Sequence, residues 1–104
     1  MVSFGVAVQD QLRIYTIKPG EMASWLQEWQ ATVRPLRVKL GFTVLGPWVI
    51  EDQNRFLWIL RYAGPGSFEE RDATYYESPE RKALDPDPAR HLVKTEHQMM
   101  APIA

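Results

Sequence analysis

Phe42-Thr43-Val44-Leu45-Gly46-Pro47-Trp48-Val49-Ile50-Glu51-Asp52-Gln53-Asn54-Arg55-Phe56-Leu57-Trp58-Ile59-Leu60-Arg61-Tyr62 reads as two β-strands, 42–51 and 55–62, joined by the polar hairpin loop Asp52-Gln53-Asn54. In the later strand Phe56, Trp58, Leu60 and Tyr62 share one face, and Leu57 and Ile59 take the other. In the earlier one, strict alternation sets Phe42, Val44, Trp48 and Ile50 against Leu45 and Val49. An antiparallel sheet with one wet face alternates apolar with polar residues. Here both faces are apolar, and an apolar face left uncovered is a liability. Helices can cover one face. The simplest cover for the other is the same face of a second copy, related by a two-fold axis, so we expect a homodimer. Pro47 adds a position. It cannot donate to a ladder and so sits on edge strands or bulges, and this places its strand at a sheet edge.

Upstream, residues 12–18 read as a first strand, with Leu12, Ile14 and Thr16 on one face and Arg13, Tyr15 and Ile17 on the other; Pro19-Gly20 ends it. Met22, Trp25, Leu26, Trp29, Val33, Leu36 and Leu40 then recur at helical spacing. Gly20 can cap this helix, Glu21 suits its first turn, Lys39 its last, and Gly41 fits a left-handed C′ position. A mid-helix proline costs about 3 kcal/mol and kinks the axis. The apolar stripe keeps its phase across Pro35, so we expect one kinked helix rather than two.

Downstream, Ala63-Gly64-Pro65-Gly66 breaks the chain, and Ser67-Phe68-Glu69-Glu70 has the form of a capping box opening a helix through about Tyr76. Ser78-Pro79-Glu80-Arg81 starts a short turn, and Asp85-Pro86-Asp87-Pro88 is extended. Residues 91–100 read as a fourth strand, with Val93, Thr95, His97 and Met99 on one face; a helix starting at Asp87-Pro88 is the alternative. The order β-α-β-β-α-β defines an α+β fold: a ferredoxin-like unit with a four-stranded antiparallel sheet, two copies of which form a homodimeric α+β barrel. In that arrangement the second strand lies at an edge, which Pro47 requires independently. We expect residues 1–11 to be an N-terminal arm, either loose or a short extra strand, 12–100 the domain, and 101–104 a tail.

A chain of 104 residues makes one domain and buries roughly 65% of its unfolded surface. The net charge is −1 and no basic stripe appears, which argues against nucleic acid as a partner. The apolar start, Met1 to Val8, is too short to span a bilayer and has no preceding positive charge, so no membrane association is expected. With no cysteine, disulfides and thiolate chemistry are excluded, and a cytoplasmic location fits.

Leu12-Arg13-Ile14-Tyr15-Thr16-Ile17-Lys18-Pro19-Gly20, followed by Trp29, Pro35, Gly41 and Gly46-Pro47-Trp48, resembles the NIPSNAP family, as do Leu60-Arg61-Tyr62, Tyr76 and Ser78-Pro79-Glu80-Arg81. The resemblance runs from Leu12 to about Met100. It implies a dimeric α+β barrel. Related barrel families include cofactor-free monooxygenases, haem-degrading enzymes, isomerases and polyketide cyclases, with the active site in the cleft between sheet and helices. No catalytic motif carries over, and the catalytic residues are unknown at this stage.

The residues themselves nominate a pocket: Tyr15, Trp25, Trp29, Trp48, Trp58, Arg61, Tyr76 and His97, with Tyr75 in the same aromatic pool. If some of these line the cleft, it suits a small flat aromatic ligand. Arg61 or Arg13 can anchor a carboxylate or phenolate oxygen. Plain core packing is the competing reading for the aromatics. His97 is a candidate general acid or base, or an axial haem ligand. His91 and His97, roughly 20 Å apart along a strand, cannot share a metal whose ligands lie at about 2 Å, so no metal site is expected. Ser67 and Ser78 read as helix caps, Ser24 has no evident base, and Gly64-Pro65-Gly66 lacks the amide a phosphate cradle needs. No cofactor is expected. Two functions remain open: a small enzyme or ligand-binding barrel (cofactor-free monooxygenase, cyclase or isomerase type), and a non-catalytic dimerising interaction or accessory module.

Overall fold

A computed structural model describes residues 8–103. Four strands, β1 (Gln9–Ile17), β2 (Thr43–Ile50), β3 (Arg55–Tyr62) and β4 (Leu92–Met100), form one antiparallel sheet in the order β2-β3-β1-β4. Helices α1 (Met22–Glu28), α2 (Arg34–Lys39), α3 (Phe68–Glu77) and the short α4 (Pro79–Lys82) supply the covering layer. This is the ferredoxin-like order expected from the sequence, with β2 at an edge.

Strand β1 begins at Gln9 rather than Leu12, so Gln9-Asp10-Gln11 belongs to the sheet and not to an arm; the expected loose or extra-strand character of residues 1–7 lies outside the described residues. These three polar residues pair with Tyr62, Arg61 and Leu60. Their side chains carry no apolar alternation, so the strand start was not visible as a period.

The long helix is continuous across Pro35. Between α1 and α2 the residues Trp29–Val33 form a π turn, in which the Arg34 N–H bonds the Trp29 carbonyl. Widening the helix here moves the carbonyl that a proline ring would strike. Trp25, Trp29, Val33 and Leu36 all stay buried on one face. Gly41 follows at φ +99° and donates to the Val38 carbonyl, the expected left-handed stop.

The strict alternation expected for β2 fails at Gly46-Pro47. Leu45 pairs with Ile59 and Trp48 with Leu57, so two residues oppose Trp58 alone. This bulge slips the phase by one residue. Val44 and Val49 pack against the core, whereas Trp48 and Ile50 are exposed. Trp48 therefore shares the open sheet face with Leu45, Leu57 and Ile59 rather than the helix-facing side with Val44.

Strand β3 keeps its predicted faces: Phe56, Trp58, Leu60 and Tyr62 are buried under the helices. The final element is a strand, preceded by a 3-10 turn, Pro88–His91, capped by Asp87. Ser67 and Ser78 are caps, accepting from the amides of Glu70 and Arg81. The core is a run of edge-to-face aromatic pairs: Trp29 on Phe56 at 5.1 Å, Trp29 on Trp58 at 5.4 Å and Trp25 on Phe56 at 5.4 Å between centroids.

Candidate functional site

Between the helix layer and the sheet lies a cleft of about 300 Å³. Strand alternation builds its floor. Arg13 and Tyr15 are on the buried face of β1, Trp58 lies beside Arg13 on β3, and His97 and Thr95 lie opposite Arg13 and Tyr15 on β4. Helix spacing builds its walls, with Trp25 from α1, Val33 from the π turn, Arg37 from α2, and Asp72, Tyr75 and Tyr76 from α3. The edge strand β4 is poorly covered by helices, so Thr95 and His97 are exposed and form the rim with Ala89 and the half-exposed Tyr76.

Of the residues nominated from sequence, Tyr15, Trp25, Trp58, Tyr76 and His97 meet in this cleft. Three do not. Trp29 is fully buried behind Trp58 and Phe56 and is core. Trp48 stands on the open sheet face, half exposed, because of the bulge. Arg61 shares parity with Leu57 and Ile59, so it too leaves the cleft, and it is held bidentately by Asp10 at 2.8 and 2.9 Å. Arg13, the alternative anchor, is the arginine inside.

The centre of the cleft is polar and tightly wired. Arg13 donates from Nε to the Gln11 amide oxygen at 2.7 Å, and from Nη1 to the hydroxyls of Tyr15 at 3.2 Å and Tyr76 at 3.0 Å. Its Nη2 meets Asp72 Oδ1 at 2.9 Å. Arg37 Nη1 reaches the same oxygen at 2.7 Å. The Arg37 guanidinium is 1% exposed and stacks 3.6 Å from the Tyr75 ring centroid. Burial pushes the Tyr15 phenol up from its ordinary value, only partly countered by Arg13, and burial raises Tyr75 likewise. Both are therefore neutral hydrogen-bond donors at physiological pH. The indole N–H groups of Trp25 and Trp58 and the Arg37 Nε–H are buried with no acceptor among the described residues.

Arg37 and Asp72 were not singled out from sequence, although the spacing carried a signal. Arg37 follows the buried Val33 by four residues, and Asp72 lies four after Phe68 and three before Tyr75. Charged residues at stripe positions mark polar groups drawn inward. His91, by contrast, is outside the cleft. Its two ring nitrogens lie 2.7 Å from Glu21 Oε1 and 2.8 Å from Glu28 Oε2, tying the 3-10 turn to α1.

A family model described as NIPSNAP matches residues 10–104. No curated protein matches the sequence. A NIPSNAP family protein from Agrobacterium tumefaciens superposes with a TM-score of 0.80 at 20% identity, covering 98% of this chain and 91% of the other. Another from the same organism, of unknown function, gives 0.83 at 16% identity, with 99% and 95% covered. A candidate antibiotic biosynthesis monooxygenase from Nitrosomonas europaea gives 0.72 at 10% identity, with 97% and 95% covered. At these identities the likeness is one of fold.

Proposed function

This chain belongs to the NIPSNAP family, and from that premise we propose that it is a homodimeric α+β barrel protein that binds or transforms a small flat apolar or aromatic molecule in the helix–sheet cleft. The observation that carries this reading is the cleft itself: about 300 Å³, walled by Tyr15, Trp25 and Trp58, with a few convergent polar groups at its centre. A space of that size, apolar in its walls and sparingly polar, is what a small-ligand site requires. Edge-to-face contacts of Tyr15 with Trp25 at 5.8 Å and with Trp58 at 6.1 Å hold the walls in place without a ligand. Any chemistry there is of the cofactor-free monooxygenase, cyclase or isomerase type. It would use proton transfer at His97 and stabilisation of developing charge by Tyr15, Tyr76 and Arg13. The likeness to the candidate monooxygenase supports that class by fold analogy.

Titration of the purified protein with bicyclic aromatic probes by calorimetry, followed by a crystal soak, tests the reading. Saturable binding with the probe between Tyr15, Trp25 and Trp58 is expected. Absence of binding, with the cleft collapsed in the crystal, would favour the non-catalytic dimerising module instead. The mutual pairing of Arg13, Asp72 and Arg37 already makes part of the cleft a structural centre, which is the feature that favours that second reading.

A further inference from the structure

We propose that the cleft selects an anion, taking a planar aromatic carboxylate whose acid group docks against Arg37 and the hydroxyls of Tyr15 and Tyr76. This rests on the ligand-binding reading above and narrows it to a ligand class.

The charge balance comes first. Two guanidiniums, Arg13 and Arg37, converge on a single oxygen, Asp72 Oδ1, at 2.9 and 2.7 Å. No second carboxylate among the described residues lies within ion-pair distance of either. The other charged groups at the rim do not redress the balance. Arg81 is neutralised by Asp87 at 3.0 Å, and Glu96 has Lys94 at 3.6 Å. One positive charge is thus left over at the buried centre. Arginine stays protonated in proteins, so the charge cannot be shed by titration. A buried charge without a carboxylate of its own is costly, and stacking on the Tyr75 ring at 3.6 Å offsets only part of that cost for Arg37.

Hydrogen bonding points the same way. Arg13 donates to both tyrosine hydroxyl oxygens, which leaves each O–H hydrogen to be given elsewhere. Arg37 Nε–H is buried without an acceptor, as are the indole N–H groups of Trp25 and Trp58 in the cleft wall. Buried donors are rarely left without partners. Among the described residues three of the four such donors line one cleft, around a surplus positive charge and beside flat aromatic walls; the fourth, the Trp29 indole N–H, lies in the core behind it. Donors and charge both call for an acceptor-rich anion, and the walls call for a planar body. The carboxylate of an aromatic acid meets a guanidinium edge and two hydroxyls with charge-assisted bonds, while its ring lies against Trp25 and Trp58.

The test is a matched pair of probes, 2-naphthoate and its neutral isostere 2-naphthamide, titrated calorimetrically into the full chain. The acid should bind roughly tenfold or more tightly than the amide, the effect of one charge-assisted hydrogen bond. Arg37→Gln should bring the acid affinity down to about that of the amide, and measurable amide binding by the variant certifies the fold. Should Arg37→Gln fail to fold, Tyr76→Phe is the second variant; Tyr76 is 46% exposed and its hydroxyl is not a core group. That substitution should weaken the acid several-fold and the amide distinctly less. Equal affinity for acid and amide, or an acid preference that survives both substitutions, would overturn the anion inference and leave the cleft reading intact. Binding of neither probe would remove both.

Discussion

His91 shows how much one side chain can tie together. Both of its ring nitrogens face carboxylates, Glu21 and Glu28, so the imidazolium is the favoured form and its pKa is raised above 6.5, chiefly by the hydrogen bond to Glu28. Glu28 in turn is held at about 2, first by its hydrogen bond to Arg90, with His91 adding to it. The signs follow from linkage. The His91 contribution is whole below its ordinary pKa of 6.5 and fades as pH rises through the elevated folded value. The Glu28 contribution is present above 4.5 and is lost only as pH falls toward about 2. The cluster therefore supports the fold best between these two ordinary values. Thermal melts taken upward from pH 6.5 should show a falling Tm in the native chain and a flatter profile in His91→Gln, which should also be less stable by about 1 kcal/mol near pH 6, the partly exposed carboxylates screening the pair. A melt whose pH slope is the same in both proteins would refute this. At the core, Phe56 is fully buried and meets Tyr15, Trp25, Trp29 and Trp58. Phe56→Ala should cost about 3–5 kcal/mol in urea unfolding.

At the scale of elements, the punctuation residues decide the boundaries. Gly41 sits at φ +99°, and a Cβ there would meet only the Tyr62 ring at 3.7 Å, an ordinary contact. Gly41→Ala should therefore cost only the left-handed backbone penalty, about 1 kcal/mol, with no packing loss, as read by the shift in the urea midpoint at constant m-value. Ser67→Ala removes the acceptor for the Glu70 amide, and about 1 kcal/mol should go with it. These stops were legible because each rests on local backbone chemistry. The β2 phase was not. Pro47 marks an edge strand, and β2 is one, but strict alternation carries no sign of the bulge that moves Trp48 to the opposite face.

For the whole molecule, the helices cover one sheet face, while the other carries Leu45, Trp48, Ile50, Leu57 and Ile59, with Trp48 53% exposed and Ile50 37%. Such a face fits the expected dimer interface. Ile59→Lys, at the middle of β3, should leave the monomer fold intact and yield a monomer in light scattering. A native chain that is already monomeric at micromolar concentration would end the dimer proposal. Among the described residues no helix is long and apolar enough to cross a membrane.

The sequence by itself determined the order of the first five elements, the edge placement of β2, the continuity of the long helix past Pro35 and the two apolar faces of β3, because all of these follow from period, caps and the missing proline N–H; that the last element is a strand and not a helix was decided by its pairing with β1. It also nominated five of the residues that meet in the cleft. Only the tertiary structure decided which sheet face the helices cover. Alternation with period two separates Arg13 and Tyr15 from Leu12 and Ile14 but is silent on which set is covered. That choice sent Arg61 outward, brought Arg13 inward, and joined Arg37 to Asp72 across 35 residues of chain, while the β2 bulge turned Trp48 to the open face. A contact of that range is made by packing, and no local pattern encodes it.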